Sequence, residues 1–163
     1  MLDATPGLAR PWSELVASPD FTVMRDAIRI LRRLNREEDL ELLFFGGARS
    51  GTDGAKLLSL GANAAVIGVA MALALGGEII GQDIRFYGDR SEADRVDAAA
   101  CLLQALSTEA SIMARCTGKT DVHNLEPEDL RAITLPTAEA IGVPLAGVRK
   151  PPASPAGGSG VAE

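Results

Sequence analysis

The chain has 163 residues and is 47% hydrophobic, which is enough for one ordinary domain with a sizeable core. A net charge of −6 and a pI near 4.9 argue against a nucleic-acid partner, because phosphate backbones require clustered Lys and Arg. The longest apolar stretch, residues 62–75, is shorter than the ~20 residues that span a bilayer, and the amino terminus lacks a secretory pattern, so we expect no membrane partner and a cytoplasmic location.

The amino-terminal 20 residues are predicted to be mostly irregular, because prolines interrupt any regular period there. From Ser18, a candidate helix N-cap, apolar residues recur at helical spacing as far as Leu34 and predict a helix. An apolar run at residues 41–45 then predicts a first strand. Ordered structure is therefore expected to begin near residue 21.

Two short apolar runs each stop at glycine in the stretch LLFFGGARSGTDGAKLLSLGANAAVIG, residues 42–68. Ser50 or Thr52 is predicted to cap a helix between them, and Gly61 ends that helix as a left-handed residue. The second strand is predicted at residues 64–67. A strand, a helix and a strand in so short a space predict a βαβ unit, in which two parallel strands have adjacent carboxyl ends. Both strands are apolar throughout, which is typical of a sheet covered on both faces.

The second half of the chain is predicted to be helical after a polar connection that begins at residue 78. A long helix is expected at residues 92–115 and ends at Gly118. One or two short helices are expected at residues 127–141, closed by Gly142. The core face of the long helix is predicted to hold Val96, Ala99, Ala100, Leu103, Leu106, Ala110 and Met113. The tail, residues 149–163, is rich in Pro, Gly and Ser and is expected to be disordered.

The two glycine-ended strands predict an anion site. GGARSG brings bare backbone N–H groups to a point just ahead of a helix, and IGVA, after the neighbouring strand, is again followed by a helical segment. Together the two loops would hold one phosphate, as the loops after strands 7 and 8 do in (β/α)₈ barrels. The alternative is purely conformational, since tight turns from strand to helix need glycine in any case.

Two longer stretches resemble a known family. GGARSGTDGAKLLSLGANAAVIGVAMALALG resembles the sequence that closes the FMN-binding barrel of glutamate synthases. CTGKTDVHNLEPEDLRAITLPTAEAIGVPLAG resembles the end of that domain in the archaeal-type and N-methylglutamate-synthase-like branch. The resemblance covers residues 23–147. It implies an α/β fold over residues 21–148: a partial (β/α)₈ TIM barrel that comprises the last two parallel strands, 7 and 8, and the C-terminal helices.

The resemblance also implies an activity and a cofactor. In this family ammonia adds to 2-oxoglutarate, and reduced FMN converts the resulting imine to L-glutamate, which makes the protein an oxidoreductase of nitrogen metabolism. Residues that would hold the FMN phosphate follow from the position of each in the motifs. They are Gly46, Gly47, Arg49 and Gly51 after strand 7, and Gly68, Val69 and Ala70 after strand 8. The motifs assign no catalytic residue.

Two departures from the family limit what this chain is expected to do alone. A barrel of this type needs about 250 residues. We therefore expect this chain to be a C-terminal portion of the barrel, from a split subunit or a truncated gene product, and to be inactive alone. The expected partners are a chain that supplies the remaining strands or a second copy of this chain, with an amidotransferase-like subunit beyond them. The connection after strand 8 has no cysteine, and Cys101 and Cys116 do not match the family's cluster positions, so no iron–sulfur cluster and no metal site are expected.

Other functions remain open at this point. The chain could be a non-catalytic accessory or interaction module, or a gene remnant, that keeps the fold without the reaction. A further alternative is another phosphate-binding barrel, such as an isomerase or a lyase, because the same phosphate site serves unrelated reactions. The segment KTDVHNLEPEDL disfavours this last alternative.

Overall fold

A computed structural model describes residues 2–3, 12–15, 20–88 and 90–148. The helices of this part are α1 (Thr22–Arg33), α2 (Gly51–Ser59), α3 (Val69–Ala74), α4 (Glu92–Cys116) and α5 (Leu135–Ile141). The strands are β1 (Leu2–Asp3), β2 (Leu43–Phe45), β3 (Ala64–Val66), β4 (Gly77–Ile80) and β5 (Asp83–Phe86). Short 3₁₀ helices occur at Ser13–Leu15, Val122–Asn124 and Pro127–Asp129. The tail predicted to be disordered lies outside the described residues.

The central sheet has three parallel strands in the order β1, β2, β3. Leu2 lies opposite Phe44, and Phe44 lies opposite Ala65 on its other side. The predicted βαβ unit is therefore present as β2, α2 and β3. The expectation of only two parallel strands was wrong, because β1 adds a third within the segment predicted to be irregular. A strand of two residues is too short to show the alternation by which strands are recognised in a sequence.

Local hydrogen bonds explain where the first two helices begin and end. The Asp20 carboxylate accepts hydrogen bonds from the Thr22 backbone N–H at 2.8 Å and from the Thr22 hydroxyl at 2.7 Å, at the start of α1. The predicted cap Ser18 lies outside the described residues. Ser50, the first of the two candidate caps, accepts from the Asp53 N–H at the start of α2. Gly61 follows α2 with φ of +106°, as predicted for a left-handed terminator.

The main core lies on one face of the sheet, under α1, α2 and the C-terminal segment. Phe44 is almost fully buried there, and its ring stacks on that of Phe21 at a centroid distance of 5.6 Å. The buried residues of this cluster are Met24, Ile28, Phe44, Ala48, Leu57, Leu60, Ala62, Ala132 and Val143. The opposite face is open: Leu43 is 37% exposed and Ala64 is exposed. Within the part of the chain that the structure describes, the apolar strands therefore have only one well-covered face.

An antiparallel hairpin, β4 and β5, replaces the polar connection predicted after residue 78. Glu78 pairs with Arg85 and Ile79 with Ile84 in this hairpin. Its turn uses Gly81, which has φ of +64°. Ile84 is buried against α3, whereas Ile79 is 50% exposed. The sequence signal for this hairpin was Gly81 between two short runs of strand-forming residues. The polar residues near Gly81 made these strands hard to recognise.

Helix α4 has nearly the predicted bounds, but only the carboxyl-terminal part of its predicted core face is covered. Ala114 is buried, and Ala110 and Met113 are partly buried near α2. Val96 is 60% exposed and Leu103 is 51% exposed, although both were predicted to face the core. Both residues precede Leu106 and Ala110, where the backbone of α4 touches that of the shorter helix α2. None of the helices in the described residues is long and apolar enough to cross a bilayer.

The C-terminal segment is tied to the rest of the fold by Arg25. Helix α5 ends at Gly142, which has φ of +69°, as predicted. From α1, the Arg25 guanidinium donates to the Ile141 carbonyl at the end of α5, at 2.8 Å, and to the Leu60 carbonyl at the end of α2, at 3.3 Å. One cation therefore satisfies carbonyl groups at two helix carboxyl ends, where positive charge is favourable.

Helices α2 and α4 approach each other closely at Gly51. A Cβ atom at this position would lie 2.6 Å from the Ala110 nitrogen and 2.6 Å from the Glu109 Cβ, and would overlap the Leu106 carbonyl oxygen. Backbone atoms of α4 cannot rotate away as a flexible side chain can. The contact between the two helices therefore requires glycine at position 51.

We predict that Gly51→Ala lowers the free energy of unfolding by about 1–3 kcal/mol, because the added methyl group forces the two helices apart. Gly54→Ala is the matched control in the same helix, since nothing lies within 4 Å of a Cβ there. This control should raise the free energy of unfolding by about 0.5–1 kcal/mol through its better helix propensity. Urea unfolding of the three proteins measures both changes. Equal stability of Gly51→Ala and the wild type would contradict the close contact.

Candidate functional site

The loop between β2 and α2 depends on two glycines with positive φ. Gly46 has φ of +154° and Gly47 has φ of +70°. The second value lies in the left-handed region, which residues with a Cβ adopt only at a cost. The pair therefore makes the turn from the strand into the helix, and it leaves backbone N–H groups without side chains beside them.

At the amino end of α2, the backbone donors are already used within the protein. The Glu109 carboxylate on α4 accepts from the Gly51 N–H at 2.8 Å and from the Thr52 hydroxyl at 2.5 Å. The Ser50 hydroxyl accepts from the Asp53 N–H at 3.1 Å. Of the predicted site residues, Gly51 thus serves the contact with α4 and does not offer its N–H to a ligand in this structure.

Glu109 is a half-buried acid that no pattern in the sequence singled out. Hydrogen bonds from the Thr52 hydroxyl and, second, from the Gly51 N–H favour the charged carboxylate and hold the pKa of Glu109 below its usual range. It lies 58 residues from Gly51 in the chain. Only the packing of α4 on α2 brings the acid to the helix end, where negative charge is favourable.

Arg49 is the cation of the first loop. Its side chain is exposed, and no hydrogen bond or ion pair engages the guanidinium within the described ranges. Its backbone N–H donates to the Asp53 carboxylate at 3.2 Å, and Asp53 lies 4.0 Å from the Lys56 ammonium group. Arg49 is therefore free to contact an anion at this loop.

The loop after β3 already holds a carboxylate. Ile67 and Gly68 connect β3 to α3, and the N–H of Val69, the first residue of α3, donates to Oε2 of Glu14 at 3.2 Å. The other oxygen, Oε1, is buried without a hydrogen-bond partner among the described residues. Glu14 belongs to the segment predicted to be irregular, and no signal in the sequence pointed to it.

The sheet brings the two predicted loops to the same edge. Phe45 lies opposite Val66 in the parallel pair, so both loops leave neighbouring strands at the same level. The Phe45 ring reaches to 3.4 Å from the place where a Cβ at Gly68 would lie. The predicted residues Gly46, Gly47, Arg49 and Gly68 belong to these two loops, and Val69 and Ala70 are the first two residues of α3. The glycine backbone of the first loop and the Arg49 side chain, which is unpaired among the described residues, are chemically suited to an anion, whereas the Val69 N–H is used by Glu14.

Two clefts in the described part of the chain lie near this edge, and loop residues contribute to the lining of the second. An apolar cleft of about 320 Å³ lies between α2 and the C-terminal segment and is bounded by Phe21, Lys56 and Ile133. A second, of about 270 Å³, lies between α2, α4 and β3 and is bounded by Ala65 and Leu103. The described residues contain no group of three His, Cys, Asp or Glu side chains placed to hold a metal ion.

Comparison with known proteins identifies a relative. No protein-family model matches the chain. A glutamate synthase large subunit-like protein from Rhizobium meliloti (strain 1021) is 34% identical over an alignment of 163 residues, which covers 82% of this chain and 37% of that protein. The chain thus spans just over a third of the length of this relative. The resemblance predicted from the motifs is confirmed.

We predict that Thr52→Ala weakens the pH dependence of stability on the acid side. Because the pKa of Glu109 is lower in the folded state than in the unfolded state, its contribution is present above the unfolded-state value and is lost as the pH falls through the folded-state value. The Thr52 hydroxyl is the largest cause of that lowering. Without the Thr52 hydroxyl, the free energy of unfolding should fall less as the pH is lowered from 7 into the acid range.

Urea unfolding over a pH series measures this effect. Thr108→Ala is the matched control, because among the described residues the Thr108 hydroxyl donates only to the Gln104 carbonyl of its own helix, at 2.8 Å. The control should keep the wild-type pH dependence. An unchanged pH dependence in Thr52→Ala would show that the hydrogen bond to Glu109 has no influence on the titration.

Proposed function

We propose that this chain, which is a homologue of part of a glutamate synthase-like protein, supplies the loops that hold the FMN phosphate in a glutamate synthase-like oxidoreductase. The proposal rests on two adjacent parallel strands that end in glycine loops at one edge of the sheet. In (β/α)₈ barrels, two neighbouring loops that each lead from a strand into a helix hold a phosphate group. The FMN, when bound, would supply the reducing equivalents for forming L-glutamate from 2-oxoglutarate and ammonia.

The residues of the two loops fit a phosphate group in part. Gly47 allows an anion to approach the backbone directly, and Arg49 can add a charge-assisted hydrogen bond. At the second loop, the Val69 N–H is directed to the Glu14 carboxylate, so an anion would reach it only if that side chain moved. The role of this chain would be to bind and orient the phosphate end of the cofactor.

The rest of the barrel would come from outside residues 1–163. Support comes from the surfaces left open: the sheet exposes Leu43 and Ala64, and α4 exposes Val96 and Leu103, which precede its backbone contact with Gly51 of α2. Strands supplied by another chain or a second copy would cover these surfaces. The residues that would contact the flavin ring and 2-oxoglutarate would lie on those strands. Glutamate formation by this chain alone, given FMN, a reductant, ammonia and 2-oxoglutarate, would contradict this part of the proposal.

A non-catalytic accessory module is the second candidate. The observation that favours it is the Glu14 carboxylate at the Val69 N–H, where the proposed function needs a phosphate oxygen. In a module that no longer binds FMN, such an acid would not interfere with ligand binding. FMN binding separates the two candidates, because only the first requires it.

We predict that Gly47→Val lowers the affinity for FMN and for inorganic phosphate by at least about tenfold, because a β-branched residue strains the left-handed backbone and blocks the approach of the anion. Calorimetric titration at low salt measures both ligands. Gly81→Val is the matched control: Gly81 has a similar φ of +64°, but it lies in the β4–β5 turn with nothing within 4 Å of a Cβ. Equal affinities in all three proteins would show that the glycine pair only makes a turn.

We also predict that the purified chain self-associates, because an exposed apolar sheet face and strand edge favour pairing with another chain. Light scattering over a dilution series measures the mass. Leu103→Glu, which places a charge at an exposed apolar position of α4, should shift the protein towards monomer. Leu34→Glu is the control, since Leu34 is 64% exposed but lies after α1, on a different element. A well-dispersed wild-type monomer with cooperative unfolding would contradict the prediction.

A further inference from the structure

Glu14 lies at the candidate site through contacts that join distant parts of the chain. The 3₁₀ helix Ser13–Leu15 is closed by a hydrogen bond from the Leu15 N–H to the Trp12 carbonyl, at 2.9 Å. Trp12 and Leu15 pack against the cluster of Val69, Ala72 and Ile84. This apolar contact holds the turn against α3 and β5, so the carboxylate between the two anchoring residues is directed to the start of α3.

The carboxylate fills the space that a glycine leaves open. A Cβ at Gly68 would lie 2.6 Å from Oε1 of Glu14. Oε2 accepts from the Val69 N–H at 3.2 Å, a distance at the long end for a hydrogen bond to a charged group. A negatively charged group thus already occupies the backbone donor that the proposed phosphate would use.

The carboxylate is also incompletely satisfied. Oε1 is buried and has no hydrogen-bond partner among the described residues. A buried oxygen of this kind has lost its water without a replacement, which disfavours the arrangement. Glu109 is different, because both of its oxygens accept hydrogen bonds at the start of α2. Glu14 is therefore the carboxylate that an incoming anion can displace.

We infer that Glu14 is an internal competitor that regulates access to the phosphate site: its carboxylate occupies the Val69 N–H in the free protein and must leave before a phosphate group binds. A phosphate and a carboxylate repel each other and cannot share one donor. The inference rests on the proposed function, because it concerns the same site. The contact of Glu14 is weak and leaves one of its oxygens without a partner among the described residues. A ligand that makes further contacts at the site can therefore displace Glu14 more easily than a small anion can.

The test compares Glu14→Ala and Glu14→Gln with the wild-type chain in calorimetric titrations with FMN and with inorganic phosphate. We expect both variants to bind each ligand at least about tenfold more tightly, because the like charge is gone. Glu14→Gln keeps the size of the side chain, so it tests the charge even where Glu14→Ala disturbs the packing of the turn. Glu41→Gln is the control: it removes the same charge from an exposed position at the other end of β2 and should bind as the wild type does.

A second measurement needs no ligand. The Val69 amide proton should exchange with solvent faster in Glu14→Ala than in the wild type, because it loses its acceptor. Unchanged exchange would show that the contact does not form and would overturn the inference. FMN affinities that are measurable but equal in all four proteins would overturn the inference and leave the proposed function standing. Binding of neither ligand by any of them would overturn both.

Discussion

The contact between Glu109 and the amino end of α2 determines the position of the first glycine loop. The Glu109 carboxylate holds the Gly51 N–H and the Thr52 hydroxyl, and Gly51 lets the backbones of α2 and α4 touch. The loop is held at one end by Phe45, which pairs with β3 in the sheet, and at the other end by Ser50, which caps α2. A loop held in this way presents Arg49 and the glycine pair in one arrangement, which a binding site requires.

Two carboxylates of the protein itself lie at the starts of two neighbouring helices. Helix amino termini attract negative charge because their first N–H groups have no partners in the helix. At α2 one oxygen of Glu109 accepts from the Gly51 N–H and the other from the Thr52 hydroxyl, as part of the contact between two helices. At α3, one oxygen of Glu14 accepts from the Val69 N–H, and the other has no hydrogen-bond partner among the described residues. The same physical demand therefore produces a structural contact at one helix and a replaceable one at the other.

The distribution of apolar surface agrees with a chain that corresponds to part of a larger relative. The core under Phe44 covers one face of the sheet, and the face that bears Leu43 is open in the described residues. The same holds for α4, which buries Ala114 and exposes Leu103. An α/β sheet normally has both faces covered, so these surfaces indicate where further structure would pack.

The sequence alone determined the βαβ unit, the helix ends and the relation to glutamate synthase-like proteins, because these features depend on local sequence patterns. Gly61 and Gly142 end their helices as predicted, because a left-handed residue is a local requirement. Only the tertiary structure decided the rest. The strand Leu2–Asp3 is too short to show a period and exists because β2 pairs with it. Glu14 and Glu109 reach the site over separations of 55 and 58 residues, and such contacts depend on packing that no local pattern records.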